Sequence, residues 1–312
     1  MKYKLKFPHG IMFHHFHNLK EYKASQGSIS SKDLEKIIKI IGRKNIIDAE
    51  KFIELYEEKK LKKNHVCLTF DDGLKCQYKI ALPVLKKFKI KAFWFIYTSI
   101  LTNKFNYLEI YREFRHRYFR SVDDFYNQFF LEVEKKKIYY NFNKLKKYIK
   151  IMKNKFPFYT RNDLKFRYLR DFILKSKYGQ IMQYMMKKYE FNYKSISKKI
   201  FLNKSDIFRL SKGRHVIGLH SHNHPTNINK KIHNFKDEYK INKSILEKII
   251  KKNVLSMSHP CGNYNLQILN SLNKLKIKIG FNSNLSKNNI INKHQKLQLP
   301  REDHSNLISK YS

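Results

Sequence analysis

The sequence predicts an α/β fold that is interrupted by a helical insertion, and three observations support this interpretation. Short apolar or β-branched runs, typical of buried strands, recur along the chain. Stretches with helical spacing of apolar residues separate them, which is the order of elements in a parallel sheet with crossover helices. Between two such regions lies a long segment, residues 102–205, with helical spacing and almost no strand signal.

The first half begins with two helices in residues 28–60, for which Ser30 or Ser31 is the expected N-cap. "HVCLTF" (65–70) and "KAFWFIY" (91–97) follow as predicted strands, and the residues between them have helical spacing. This is a β-α-β unit, so we expect its two strands to be parallel.

The second half repeats the alternation. Predicted strands lie at 215–221, 253–258, 277–281 and 297–300, and predicted helices lie at about 235–252 and 266–275. In the middle segment, we interpret the aromatic stripes as the core of a small helical bundle, with a ligand-stacking surface as the alternative. The expected organisation is therefore one domain made of 1–101 and 206–312, with 102–205 inserted.

The chain is strongly basic, with 66 Lys and Arg against 25 Asp and Glu and a net charge of +41. This charge is typical of proteins with an anionic partner, but codon bias in an A/T-rich genome would give the same composition. Residues 103–204 carry 26 basic and 9 acidic residues, so the charge is spread along the chain. We therefore expect no specific nucleic acid partner, and we expect peripheral contact with an anionic membrane at most.

The cysteines and the N-terminus indicate a cytoplasmic protein. Cys67, Cys76 and Cys261 form no CxxC spacing, which favours a reducing compartment. Pro8 and Gly10 interrupt the basic N-terminus before any apolar run, so we expect no signal peptide, and no stretch has the length of a membrane span. None of these features indicates an oligomeric state.

Two adjacent carboxylates, Asp71 and Asp72, close the first predicted strand and precede Gly73. The carboxyl ends of parallel strands line the crevice where α/β folds place their chemistry. Adjacent residues that leave a strand point in different directions, so the two carboxylates can have separate roles. The same residues also suit a turn that caps the next helix, and this motif alone leaves both interpretations open.

Three histidines, His220, His222 and His224, follow a second predicted strand. Pro225 disfavours a helix there, so we expect a loop in which two imidazoles converge on one ion. Two histidines and one carboxylate commonly hold a catalytic zinc or similar divalent ion, and a second carboxylate can then take a proton. We favour this interpretation over surface histidines on a polar loop because the segment again follows a strand.

These motifs resemble those of the NodB-like polysaccharide deacetylases of carbohydrate esterase family four. "TFDDG" matches the first family motif letter for letter, which implies Asp71 as the base and Asp72 as a metal ligand. "HSHNH" fits the second motif, H-[ST]-x-x-H, and implies His220 and His224 as the other ligands. His222 would then be a bystander, or it would support the site without binding the ion.

The resemblance extends to the substrate groove. "SHPCGNYN" (258–265) looks like the third family motif, R-x-P-Y-G-x-Y-N, which shapes one wall of the groove. The early "FHHFH" is similar to the histidine-bearing strand that approaches the site in this family. The groove residues that the resemblance implies are His17, Pro260, Gly262 and Tyr264.

Two residues depart from the third motif. Ser258 stands where the family has an arginine that orients the base, and Cys261 stands where an aromatic residue is usual. Arg301, in "LPREDH", is the only arginine after residue 214 and is the expected replacement. The late family motif supplies a histidine acid, which implies His304, with His259 and His17 as alternatives. The implied catalytic residues are Asp71, Arg301 and His304.

The resemblance implies a deformed (β/α) barrel of the NodB-like type, in which the large helical insertion forms a lid or an acceptor platform. It also implies hydrolysis of an N- or O-acetyl group on a sugar with a divalent metal, most simply Zn²⁺. Since we expect no signal peptide, the expected substrate is an intracellular precursor of a surface polysaccharide. The alternatives are a metal-dependent hydrolase of a non-sugar amide, a catalytically inactive carbohydrate-binding relative and a nucleic-acid-binding protein.

Overall fold

The fold is a deformed (β/α) barrel, as predicted. The computed structural model describes residues 3, 6–102, 107–155, 159–225, 235–285 and 292–311. Seven parallel strands form one sheet in the order β6-β5-β4-β3-β2-β1-β7. The strands are β1 (His9–Phe13), β2 (Val66–Phe70), β3 (Phe93–Ile96), β4 (Val216–Leu219), β5 (Ser256–Ser258), β6 (Ile279–Phe281) and β7 (Arg301–Asp303).

The α-helices of the described residues follow the predicted alternation. They are α1 (Ser31–Ile41), α2 (Ala49–Glu57), α3 (Leu82–Lys87), α4 (Tyr107–Glu113), α5 (Val122–Lys135), α6 (Phe142–Lys155), α7 (Arg161–Tyr168), α8 (Lys177–Lys188), α9 (Tyr193–Ile200), α10 (Lys204–Lys212), α11 (Phe235–Ile250), α12 (Leu266–Lys274) and α13 (His304–Tyr311). Ser30 is the N-cap of α1, because its side chain accepts a hydrogen bond from the backbone N–H of Asp33 at 3.2 Å.

The chain separates into two compact units. Unit 1 consists of Met1–Asn106 and Ile200–Ser312 and contains the whole sheet, whereas unit 2 consists of Tyr107–Lys199 and is helical in every described element. In unit 2, the buried rings of Phe125, Phe129 and Phe166 lie 5.0–5.7 Å apart between centroids. These aromatic residues therefore form the core of a helical bundle, as their spacing predicted.

The central strands are buried on both faces. Every residue of β2 and β3 is buried, as expected for parallel strands that are covered by helices. Phe70 of β2 stacks on Trp94 of β3, with 4.7 Å between ring centroids. These apolar runs fix the register of β2, and they bring the residues after Phe70 to the carboxyl edge of the sheet.

The barrel has a seam between its first and last strands in spatial order, β6 and β7. Phe281 of β6 pairs with Leu299, a single bridging residue, and not with β7 itself. The next carbonyl, that of Pro300, accepts a hydrogen bond of 3.0 Å from the N–H of Gly10 in β1. The chain thus crosses from β6 to β1 within two residues, and Arg301 begins β7 just after this crossing.

The predicted strand at 297–300 is therefore wrong in its position. Asn292–Leu297 form a 3₁₀-helix, Leu299 makes only the bridge to β6, and the strand begins at Arg301. A proline cannot donate to a ladder, so Pro300 ends the pairing with β6 instead of continuing it. The sequence pattern of alternating apolar residues did not reveal this change of partner.

Candidate active site

The carboxyl ends of the strands bring the predicted ligands together. Asp72 follows β2, and His220 and His224 follow β4, which is separated from β2 by β3 alone. All three are buried, and their ligand atoms lie within 4.8 Å of one another. Asp72 Oδ1 is 3.4 Å from His220 Nε2 and 3.3 Å from His224 Nε2. The arrangement is a compact pocket of one carboxylate and two imidazoles.

The backbone turns sharply to make this pocket. Asp72 has φ = 73° and Gly73 has φ = 63°, so two consecutive residues adopt left-handed conformations directly after the strand. His224 also has a positive φ, of 52°. Glycine takes this conformation freely, whereas Asp and His adopt it less often and at some cost, and such costs concentrate at functional sites. The turn directs the Asp72 carboxylate toward the histidine loop.

His220 is held in one tautomer by its surroundings. Its Nδ1 lies 2.9 Å from the carbonyl oxygen of Ser258, and because a carbonyl only accepts, Nδ1 carries the proton. In the neutral ring this leaves the lone pair on Nε2, the nitrogen that faces Asp72, where it can bind a metal. The side chain of Asn242, in α11, accepts a hydrogen bond from the backbone N–H of His220 at 3.0 Å. It also donates to the backbone carbonyl of Ile96 at 2.9 Å.

Asn242 ties the histidine loop to β3, so its loss should loosen the pocket. We expect Asn242→Leu to lower the metal affinity about 10-fold to 100-fold, the usual effect of removing a group that orients a ligand. Competitive titration with a chromogenic chelator would measure this affinity. Lys248→Gln, an exposed change on the same helix, is the control and should leave the affinity unchanged. If the Asn242→Leu protein binds the metal with the affinity of the wild type, Asn242 is not needed to position the histidine loop.

His222 points away from the ligands, as the resemblance implied. Its Nδ1 lies 2.9 Å from Thr98 Oγ1, and its backbone N–H donates to the buried carboxylate of Glu238 at 3.0 Å. Glu238 also accepts from the N–H of Asn223 at 2.8 Å. These contacts give the loop a fixed shape, so His222 supports the site without facing it.

The pocket suits a cation. Asp72 Oδ1 is buried and has no hydrogen-bond partner among the described residues, which is costly unless something else satisfies it. Burial would raise the pKa of Asp72, but its contacts with His220 and His224 hold it well below its usual range. Burial would likewise lower the pKa of His224, yet the Asp72 carboxylate outweighs it and raises that pKa. An oxygen and two nitrogens around one buried space fit Zn²⁺ or a similar ion.

The second carboxylate, Asp71, has a different environment. Arg301 Nη1 donates to Asp71 Oδ1 at 2.8 Å, and the Ser258 hydroxyl donates to Asp71 Oδ2 at 3.3 Å. Arg301 Nη2 in turn donates to Ser258 Oγ at 2.7 Å, so guanidinium, hydroxyl and carboxylate form a closed ring of contacts. Burial would raise the pKa of Asp71, but the charge of Arg301, followed by that of His220, lowers it.

The sequence around this site matches a known family. The family model described as "Polysaccharide deacetylase" matches residues 58–118 and 173–280, more than half of the 312 residues. The chain belongs to the polysaccharide deacetylase family. The matched ranges contain both aspartates and the histidine loop, which is consistent with the NodB-like motifs.

Solved structures share the fold of this deacetylase. The Streptococcus pyogenes deacetylase PplD in complex with acetate aligns with a TM-score of 0.56 at 15% identity, over 98% of each chain. IcaB from Ammonifex degensii aligns with a TM-score of 0.54 at 12% identity, over 95% of this chain and 91% of its own. A de-N-acetylase from Aggregatibacter actinomycetemcomitans gives 0.53 at 15% identity, over 98% and 99%. No curated protein that was compared matches the sequence.

His14 is the residue at the site of the deacetylase that sequence reasoning missed. It follows β1, and its Nε2 lies 3.9 Å from Asp71 Oδ2 and 4.0 Å from Asp72 Oδ2. Its side chain is 30% exposed, whereas both carboxylates are buried. Gln77, just after the "DDG" turn, donates to the backbone carbonyls of His14 at 2.8 Å and Asp71 at 2.6 Å. The only signal in the sequence was the run of histidines in "FHHFH".

The three histidines considered as the acid are placed elsewhere. The ring nitrogens of His304 face the backbone carbonyls of Met12 and Gly27, at 3.1 and 3.2 Å. His259 Nε2 faces the carbonyl of Leu297 at 2.8 Å, and burial lowers the pKa of His259 to about 3. His17 Nδ1 lies 2.9 Å from a serine hydroxyl, that of residue 28. Among described residues, none of these three rings contacts Asp71 or Asp72, so the structure does not support His304 as the acid.

The residues of the third motif form the turn after β5. Pro260–Gly262 make one 3₁₀ turn in which Cys261 has φ = 54° and is exposed. Gly262 has φ = 68°, and a Cβ there would lie 2.0 Å from Ser283 Oγ, so only glycine fits. The Tyr264 ring lies 4.6 Å from the His259 ring between centroids. The role of this turn as one wall of the substrate groove stays a prediction.

Within the described part of the chain, no helix is both long enough and apolar enough to span a membrane.

Proposed function

We propose that this polysaccharide deacetylase is a metal-dependent enzyme that hydrolyses an N- or O-acetyl group on a sugar. The observation that carries the proposal is the buried trio Asp72, His220 and His224, whose Asp72 Oδ1 lacks a hydrogen-bond partner in the described structure. These three residues would hold a divalent ion, most simply Zn²⁺. When bound, such an ion supplies a Lewis acid that polarises the acyl carbonyl and activates water.

Residues of the chain would supply the base, its orientation and the acid. Asp71 is ionised because Arg301 lowers its pKa, so it is ready to accept a proton from the attacking water. Arg301 and Ser258 fix the orientation of Asp71, since each contacts a different carboxylate oxygen. His14 is the partly exposed ring nearest to both carboxylates, and we propose that it donates the proton to the leaving group in place of His304.

The substrate belongs to the acetylated glycans, and its finer identity is a prediction. We propose that residues 102–205 select the acceptor, as the lid or platform interpretation suggests. The cytoplasmic location, the intracellular precursor and the absence of a nucleic acid partner also stay predictions. Hydrolysis of a non-sugar amide is the nearest alternative, because the same trio would serve it.

Acetate release tests this proposal. Protein purified without a metal affinity step should contain about one divalent ion per chain and release acetate from members of a panel of acetylated mono-, oligo- and lipid-linked saccharides. Chelation should abolish the release, and Zn²⁺ should restore it. Acetate release that survives complete chelation would overturn the metal dependence. A fully metallated protein that binds glycans without turnover would indicate the inactive carbohydrate-binding relative.

A further inference from the structure

Unit 2 contains a segment with an unusual distribution of charge. From Lys135 to Lys155 the sequence has nine lysines and no Asp or Glu. Helix α6 lies in this segment, and Leu145 is the one buried residue among its described side chains. The helix therefore attaches to the unit along a narrow edge and exposes most of its surface to solvent.

One face of α6 is cationic. Lys146, Lys150 and Lys153 are spaced at i, i+4 and i+7, so they share a face, which we call the lysine stripe. Arg161, the first residue of α7, lies beside the stripe. These four cationic side chains, with Ile149 and Asn154, line a shallow cavity of about 300 Å³.

The stripe lacks the neutralising partners that some other cations of unit 2 have. Within the described residues, Lys146, Lys150 and Arg161 form no ion pair, and Lys153 donates only to a backbone carbonyl at 3.0 Å. Elsewhere in the unit, Lys188 contacts Glu132 at 2.7 Å. Two arginines are paired in the same way, Arg117 with Glu113 and Arg170 with Asp171. Like charges at i, i+4 destabilise a helix, so an anionic partner would stabilise this one.

Exposed aromatic side chains adjoin the stripe. Phe142 is 67% exposed, and it lies on the same face of α6 because it precedes Lys146 by four residues. Tyr139, just before the helix, is 84% exposed. Lysines beside exposed aromatic rings are typical of helices that lie on anionic lipid surfaces, where the cations meet phosphates and the rings enter the interface. A soluble polyanion would need the cations but not the rings.

We propose that the lysine stripe, Arg161 and Phe142 form a docking surface for the phosphate headgroups of an anionic phospholipid bilayer. This surface lies wholly within unit 2, and it is independent of the acyl chemistry proposed above. Charge complementarity supplies the attraction, and Phe142 supplies an apolar contact that a phosphate polymer in solution does not offer.

Vesicle sedimentation tests the proposal with the whole 312-residue chain. Binding to phosphatidylcholine vesicles that contain phosphatidylglycerol should exceed binding to pure phosphatidylcholine and should weaken with salt. The variant K146Q/K150Q/K153Q should lose on the order of a hundredfold in partition coefficient, at about fivefold per lysine. The matched control K44Q/K63Q/K248Q removes three exposed lysines from unit 1 and should bind nearly as well as the wild type.

A second variant separates the bilayer from a soluble polyanion. Phe142→Ser should weaken vesicle binding about tenfold, because an apolar ring no longer enters the interface, while retention on immobilised polyphosphate stays unchanged. The four altered side chains of the two variants are exposed, and circular dichroism would verify folding. Equal losses in the stripe and control variants would overturn the proposal, since the attraction would then be general. Unchanged vesicle binding by Phe142→Ser would also overturn it and favour a soluble polyanion.

Discussion

Asp71→Asn should keep the metal and lose about a hundredfold or more in turnover, whereas Asp72→Asn should lose the metal itself. Among the described residues, Asp72 is the carboxylate that faces both His220 and His224, so its replacement removes the anionic ligand. Asp71 instead contacts Arg301 and Ser258, so its replacement removes a base and leaves the ligands in place. Elemental analysis beside acetate release would measure the two effects.

The controls for this prediction come from the histidine loop. His220→Ala should empty the site, because it removes a ligand. His222→Gln should keep most of the metal, because His222 faces Thr98 and not the ligands. The two roles are reversed if Asp71→Asn loses the ion and Asp72→Asn retains it. If both aspartate variants keep full metal and full activity, "DDG" is only a turn.

Arg301→Met should lower the free energy of unfolding by about 3–5 kcal/mol, because it leaves the buried Asp71 carboxylate without its counter-charge. Arg301→Lys should be milder for stability but should lower turnover about tenfold or more. A lysine is a point charge, and it cannot contact Asp71, Ser258 and the carbonyl of Asn282 together, as the guanidinium does. Urea denaturation and acetate release would measure the two quantities.

A double substitution provides the matched control for Arg301. Ser258→Arg combined with Arg301→Ser moves the arginine to β5, where the third family motif has it, and should recover part of the turnover that Arg301→Ser alone loses. Metal content should stay at the wild-type level throughout, because neither residue is a ligand. Unchanged turnover in Arg301→Lys would eliminate the orienting role.

The parts of the site that were predictable from the sequence are those encoded by short segments. "TFDDG" and "HSHNH" each place their functional groups within five residues of a strand end, so local spacing was enough to predict Asp72, His220 and His224 as neighbours. The strands β2 and β3 were predictable for a similar reason, because each is a short apolar run, whereas β7 is the polar segment Arg301–Asp303 and was misplaced. Arg301 was inferred only by elimination, since 230 residues separate it from Asp71.

The position of His14 depended on pairing that no local pattern shows. β1 pairs with β2 so that Phe13 lies opposite Phe70, and the next residues of the two strands, His14 and Asp71, therefore come side by side. The sequence pattern of "FHHFH" does not show which of its histidines reaches the site, and only this register identifies His14. His304 lies away from the two carboxylates for a related reason, because it starts α13 and its ring stacks on Phe13, 5.6 Å away between centroids.

The seam of the barrel gives Arg301 a second duty. Its Nε donates to the carbonyl of Asn282, just past β6, and its backbone N–H donates to the carbonyl of Asn284 at 3.0 Å, while Arg301 itself pairs with β1 as part of β7. Arg301 thus joins the two edges of the sheet, between which the described strands β6 and β7 form no ladder. Natural selection for a folded chain would then retain the arginine even in a lineage that had abandoned the reaction. Across descendants of such a barrel, the presence of this arginine would report an intact closure, whereas Asp71 together with the pocket of Asp72, His220 and His224 would report a working enzyme.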